Sequence, residues 1–98
     1  MLPAEKTGRK RTKLVEMNWE VYLVRCSDNS LYCGITKDVK TRIVLHNAGK
    51  GSKYTNSRKP VELVAVSRKM TKSDALKLEH QVKQLSISKK IDRLRCDS

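Results

Sequence analysis

Apolar and polar positions change period several times along the chain, and each change marks an element. Trp19 to Arg25 (WEVYLVR) concentrates β-forming residues and runs into the polar cluster Ser27-Asp28-Asn29-Ser30, the signature of a strand entering a turn. Leu31 to Ile35 supplies the second strand of a hairpin. A two-residue loop at Asp28-Asn29 would set Tyr22 and Tyr32 on opposite faces. A three-residue loop, Ser27-Asp28-Asn29, pairs Cys26 with Ser30 and Val24 with Tyr32, so both phenols share a face. Asn29 tolerates the left-handed backbone that the longer loop needs, and the shared face is therefore predicted.

Asp38 caps a predicted helix from Val39 to about Ala48, ended by Gly49. Val39 and Ile43 make its inward stripe; Arg42 and His46, one turn apart, flank that stripe instead of opposing it. Gly49 to Pro60 (GKGSKYTNSRKP) reads as a loop. Val61 to Val66 (VELVAV) is nearly continuous apolar sequence, as expected of a strand covered on both faces or nearly so. Thr71-x-x-Asp74 resembles a capping box and opens a helix to about Leu85. Ala75, Leu78, Val82 and Leu85 form its apolar stripe, and Glu79 sits at the stripe's edge. A short last helix, Ser88 to Leu94, completes the order β-β-α-β-α-α. The fold class is α+β, a small antiparallel or mixed sheet flanked by helices.

The length, 98 residues, fits one domain. With one Trp, three Tyr and no Phe, the core falls to Val, Ile and Leu. Cys26, Cys33 and Cys96 are odd in number and lack paired spacing, which reads as thiols in a reducing compartment, hence a cytoplasmic setting. No apolar run approaches the roughly 18 residues that span a bilayer, and the first residues lack a secretory-type apolar stretch.

Charge changes the picture most. Lys and Arg number 22 against 10 acidic residues, a net charge of +12, which favours polyanionic partners, nucleic acid first. Residues 37–60 carry seven basic side chains against Asp38 alone. Residues 1–17 carry five basic and two acidic groups without periodicity and read as a basic tail, with the folded domain at 18–95. Lys50, Lys53, Arg58 and Lys59 together form a phosphate-contacting surface. Tyr54 among them suits base stacking or anchoring of the loop equally. Glu79 alone reads as a surface acid paired with Lys83, and His46 as either packing or support for a tyrosine. His80 reads as surface.

Taken in order, Val21-Tyr22, then Tyr32-Cys33-Gly34, then Arg42, His46 and Glu79, with Gly49-Lys50-Gly51-Ser52-Lys53-Tyr54-Thr55 between, the chain resembles the GIY-YIG nuclease superfamily. The resemblance is to its small stand-alone branch, similar to the nuclease domain at the start of the UvrC repair endonuclease, and covers about Trp19 to Leu94. It implies a three-stranded antiparallel sheet between helices and divalent-metal-dependent cleavage of DNA, in repair or processing. Carried over, Tyr22 is the general base, Tyr32 orients water or phosphate, and Gly34 lets the backbone approach DNA. Arg42 binds the scissile phosphate, His46 supports a tyrosine, and Glu79 holds Mg²⁺ or Mn²⁺. Nearby positive charge is expected to lower the phenol of Tyr22 toward phenolate. Partners are DNA and a candidate targeting protein, with no membrane and a monomeric free state. Ile35 stands where many relatives carry a lysine, leaving Lys37 as the nearest substitute, and no asparagine follows Asn56. The alternative is accordingly a non-catalytic nucleic-acid-binding module on the same fold.

Overall fold

A computed structural model describes residues 17–97. The basic tail expected at residues 1–17 lies, except for Met17, outside them. Strand β1 (Glu20–Arg25) is central, between β2 (Leu31–Thr36) and β3 (Glu62–Val66), and both neighbours run antiparallel to it. Helix α1 (Val39–Asn47) and the single turn α2 (Lys53–Asn56) follow the hairpin; α3 (Lys72–Lys83) and α4 (Ile87–Asp97) follow β3. The fold is α+β as the pattern predicts, and the sheet, which the pattern left antiparallel or mixed, is three-stranded and antiparallel as the resemblance implies.

The hairpin takes the three-residue form. Cys26 N donates to Ser30 O at 2.8 Å, Val24 faces Tyr32, and Tyr22 faces Gly34. Asn29 adopts φ 68°, the left-handed backbone that the loop requires. Asp28 holds the turn through Oδ1, which accepts from Ser30 N at 3.0 Å.

Because side chains alternate across a strand, the two faces of the sheet are distinct. Val21, Leu23 and Cys33 join Ala65, Met70, Ala75, Leu78, Val82 and Leu94 in one buried cluster, covered by α3 and α4. Tyr22, Val24, Cys26 and Val61 point the other way, with Tyr32, Val39, Ile43 and Val66 packed against them under α1. Three layers result: α1 and its loop, the sheet, then α3 with α4. The predicted caps are present at both long helices. Asp38 Oδ1 accepts from Thr41 N at 3.2 Å, and Thr71 Oγ1 accepts from Asp74 N at 3.1 Å.

Two expectations are corrected. The segment from Gly49 to Pro60 is not wholly loop, because Ser52 caps the turn of helix α2 through its side chain. Strand β3 is not covered on both faces: it is a sheet edge, and Leu63 is 43% exposed. A register shift between Leu23 and Val24 of β1 lets Val24 face Leu63, not Val64, so one residue of β3 is extra and the apolar run need not be buried continuously.

Candidate active site

The side chains that α1 and the following loop present to the sheet converge on Tyr22. This tyrosine is 1% exposed, and its phenolic oxygen lies 2.8 Å from His46 Nε2. His46, one helical turn after Arg42, is fully buried. Its other ring nitrogen, Nδ1, lies 2.7 Å from Thr55 Oγ1, also fully buried. Tyr32 closes the group, its ring edge-on to His46 at 5.3 Å and 6.3 Å from that of Tyr22. Tyr54 stacks on Tyr32 at 5.8 Å, and the guanidinium of Arg58 lies 4.0 Å over the Tyr54 ring. The three tyrosines and His46 thus form a continuous aromatic path from the sheet centre to the basic loop.

Arg42 binds this loop and faces the phenol. Its terminal nitrogen donates to Gly51 O at 2.9 Å, while its buried Nε has no hydrogen-bond partner among the described residues. A buried guanidinium N–H left unpaired costs roughly 1–3 kcal/mol, so the site holds donor capacity that an incoming oxygen anion would satisfy. Asn47 fixes the end of the loop by a two-way bond, Val61 N to Oδ1 at 2.7 Å and Nδ2 to Val61 O at 3.1 Å.

Two glycines make the convergence sterically possible. A Cβ on Gly34 would stand 2.6 Å from the Tyr22 hydroxyl, and one on Gly51 would stand 2.1 Å from His46 Nδ1. Gly34 therefore makes room for the phenol, a role inside the site that its assignment to DNA approach did not foresee. Replacing either glycine with alanine is expected to cost about 1–3 kcal/mol through overpacking. For a domain of this size that is a melting temperature lower by roughly 4–8 °C per kcal/mol. Thermal denaturation of Gly34→Ala and Gly51→Ala checks this, with Gly49→Asn as a comparison at a position of φ +81°.

Electrostatics runs against one expectation. Burial pushes the Tyr22 phenol above its ordinary value, and the Arg42 guanidinium only offsets part of that rise. Nearby positive charge does not make it a resting phenolate. Burial, reinforced by Arg42, pulls His46 below its ordinary value of 6.5, so the imidazole is neutral at neutral pH. The unfolded chain binds this proton more readily than the folded one. The neutral His46 contribution to stability is therefore complete above about pH 6.5 and is lost as pH falls through the lowered folded value. Melting temperature should decline in that window in the wild type, and His46→Asn should remove this component. Asp28 and Asp38, both held low by their hydrogen bonds, act only at more acidic pH.

The remaining predicted residues lie elsewhere. Glu79 is on α3, in the layer across the sheet from Tyr22 and His46; its carboxylate pairs with Lys83 Nζ at 3.2 Å. It lies in electrostatic reach of Cys33, whose thiol is pushed up to about 12, first by burial and then by this carboxylate. Among the described residues no hydrogen bond joins Glu79 to either phenol or to Arg42. Lys37 lies 5.4 Å over the Trp19 ring, which Lys72 also approaches to 5.2 Å. Lys50, Lys53 and Lys59 are exposed, whereas Arg58 also binds Asp28 at 3.0 Å. Sequence reasoning gave no role to Asn47, Gly51, Ser52 or Thr55, although the last three stand in the segment quoted for the resemblance. The Ser52-x-x-Thr55 spacing, a serine cap three residues before the backbone N–H that donates to it, was the available signal.

A divalent ion fits this donor set only loosely. Among the described residues there is no cluster of three or more His, Cys, Asp or Glu side chains. One partly exposed carboxylate, Glu79, suits Mg²⁺, which commonly takes one or two protein carboxylates and fills its shell with water and phosphate oxygens.

Comparison with known proteins agrees with the ordered motif. Residues 18–92 match the family model described as the GIY-YIG catalytic domain. A UPF0213 protein of Staphylococcus epidermidis is 51% identical over 71 residues, covering 72% of this chain and 87% of that protein. A UPF0213 protein of Staphylococcus saprophyticus is 49% identical with the same coverage. The solution NMR structure of a UPF0213 protein from Bacillus halodurans is 47% identical, covering 76% of this chain and 79% of that one, with a TM-score of 0.47. With its model match over most of the chain and relatives of this identity, the chain belongs to the GIY-YIG nuclease family, in company with the small UPF0213 proteins.

Proposed function

We propose that the protein is a divalent-metal-dependent endonuclease that hydrolyses DNA phosphodiesters through Tyr22. The observation that carries this reading is the buried Tyr22–His46 couple beside the unpartnered Nε of Arg42. A phenol that stays protonated cannot act as a base by itself, but it can pass its proton on. Attacking water gives a proton to the Tyr22 oxygen as the phenol's own proton moves to His46 Nε2. The resulting hydroxide attacks phosphorus in line, the far P–O bond breaks, the leaving oxygen takes a proton from solvent water, and the His46 imidazolium gives its proton back to solvent. A neutral imidazole is required to receive the proton, and burial keeps His46 neutral.

Arg42 binds the phosphate; a planar fork suits two of its oxygens better than an ammonium would. Glu79 would hold the ion, which when bound neutralises charge on the phosphate and leaving oxygen. Binding the substrate, Glu79 would have to give up Lys83 in part. Lys50, Lys53 and Lys59 supply backbone contacts that carry little sequence information. The cytoplasm, a monomeric state and a role in repair belong to the same reading. No helix among the described residues is long and apolar enough to cross a membrane.

Purified protein with supercoiled plasmid and Mg²⁺ or Mn²⁺ should produce nicks that chelation abolishes. Arg42→Lys should slow single-turnover cleavage by about 10²-fold, since roughly 1.4 kcal/mol is tenfold and the lost fork is worth about twice that. Salt-sensitive DNA binding without any metal-dependent nick would instead establish the non-catalytic module, which Ile35 and the missing late asparagine favour.

A further inference from the structure

The Tyr22–His46 contact has two hydrogen-bond directions, and the choice between them decides whether the couple can work. If His46 carries its proton on Nε2, it donates to Tyr22 and cannot receive from it. If the proton is on Nδ1, the Nε2 lone pair faces the phenol. Ring tautomers are fixed by whatever the second nitrogen meets.

What it meets is Thr55. Its hydroxyl lies 2.7 Å from Nδ1, 3.0 Å from Ser52 Oγ and 3.4 Å from the carbonyl of Ser52, toward which it can donate. Ser52 Oγ already accepts from Thr55 N at 3.1 Å as the cap of α2. Tyr22 is 1% exposed, and among the described residues His46 is the one acceptor its hydroxyl meets, since Arg42, which also reaches the phenol, can only donate. Were Nε2 protonated, the phenolic proton would be buried without an acceptor, at a cost of roughly 1–3 kcal/mol. With the proton on Nδ1 every group is served. Tyr22 donates to Nε2, Nδ1–H donates to Thr55 Oγ1, and Thr55 donates to Ser52.

We infer that Thr55 is a positioning residue that holds His46 in the Nδ1–H tautomer, with Nε2 open to the Tyr22 proton. The one-turn helix α2 is the mount for this hydroxyl. Ser52 caps its N-terminus, and Gly51, lacking a Cβ, lies directly against the imidazole. Thr55 touches neither water nor phosphate in this scheme; it acts through His46. The arrangement explains why a four-residue helix interrupts a loop otherwise suited to contacting nucleic acid. It rests on the nuclease reading for its consequence, but the tautomer itself does not.

The test separates the two. Long-range proton–nitrogen correlation spectra of the imidazole rings, assigned with His46→Asn and His80→Asn, report the tautomer of His46 in the full chain without DNA. The wild type should show Nδ1 protonated and Nε2 bare. Thr55→Val, which keeps the shape and removes the hydroxyl, leaves Nδ1–H without its acceptor, so the Nδ1–H proton resonance should shift upfield and exchange faster with water, and Thr55→Ser should restore it. Where Thr55→Val proves too unstable for spectra, Ser52→Ala serves as the second variant. It keeps the carbonyl that accepts from Thr55 and should retain the tautomer. On nicked-plasmid kinetics, Thr55→Val should be slowed by about 10- to 100-fold, the range found when a histidine loses its orienting partner, with DNA affinity unchanged. An Nε2–H tautomer in the wild type, or an Nδ1–H resonance unaltered in Thr55→Val, overturns the assignment. Absence of cleavage by the wild type, with the tautomer pattern as described, rejects the nuclease reading and leaves Thr55 in its place.

Discussion

Tyr22→Phe should reduce single-turnover cleavage by about 10²- to 10⁴-fold, the usual worth of a positioned acid–base group, while DNA affinity stays within about twofold. The substitution removes one oxygen from a ring that is 1% exposed, and Phe fills the same space against Val24 and Gly34. Stability should fall by no more than about 1–3 kcal/mol, the cost of leaving a buried partner unmatched, because His46 Nε2 loses its donor. Tyr32→Phe is the informative contrast. Tyr32 lies edge-on to His46 and stacks with Tyr54, and these ring contacts survive loss of its hydroxyl. Its cleavage rate should drop by about tenfold or less if, as the resemblance implies, the hydroxyl only orients a water or phosphate oxygen. Rapid-quench measurement of a labelled strand distinguishes the two variants. Equal losses would remove Tyr22 from the role of base, because the asymmetry in burial and hydrogen bonding would then have no counterpart in rate.

That asymmetry marks the limit of what could be read from residues alone. The shared face of the phenols was legible because it depends on local chemistry. One Asn able to adopt a left-handed backbone sets the loop length, and loop length sets the register. Helices α1 and α3 were legible because Asp38 and Thr71 announce them and apolar stripes confirm them. Burial of Tyr22 was not legible, since it depends on what the loop of residues 49–60 covers. Charge near the phenol can be counted along the chain, whereas desolvation cannot, and desolvation dominates. The edge position of β3 escaped for a similar reason. Apolar content cannot distinguish a central strand from a bulged edge strand that exposes Leu63. His46 lay between packing and support on sequence grounds. Its two short contacts, each to a hydroxyl, are what the proposed supporting role uses.

Glu79 poses the sharper question, because its helix belongs to the layer opposite the phenols. Its carboxylate is held by Lys83, and β2, the edge strand bearing Tyr32 and Gly34, is also the strand against which α3 chiefly packs. An ion on this carboxylate would therefore have to serve the phosphate past the rim of β2. Glu79→Ala should lower Mg²⁺-supported cleavage by about 10³-fold or more, since charge stabilisation by a bound ion is worth several kcal/mol. The fold should hardly change, because a partly exposed i, i+4 helix pair contributes only about 0.3–0.5 kcal/mol. DNA binding in chelator should persist, since Lys50, Lys53 and Lys59 lie on the loop after α1, in the layer across the sheet from Glu79. Lys83→Met provides the opposite sign. It frees the carboxylate from an ammonium 3.2 Å away, and the Mn²⁺ concentration for half-maximal cleavage should fall severalfold. A metal titration of nicking reads both variants. If Glu79→Ala cleaves at the wild-type rate with the same metal requirement, the ion is held elsewhere. In that case, only Tyr22, His46 and Arg42 remain as this chain's own contribution to the cut.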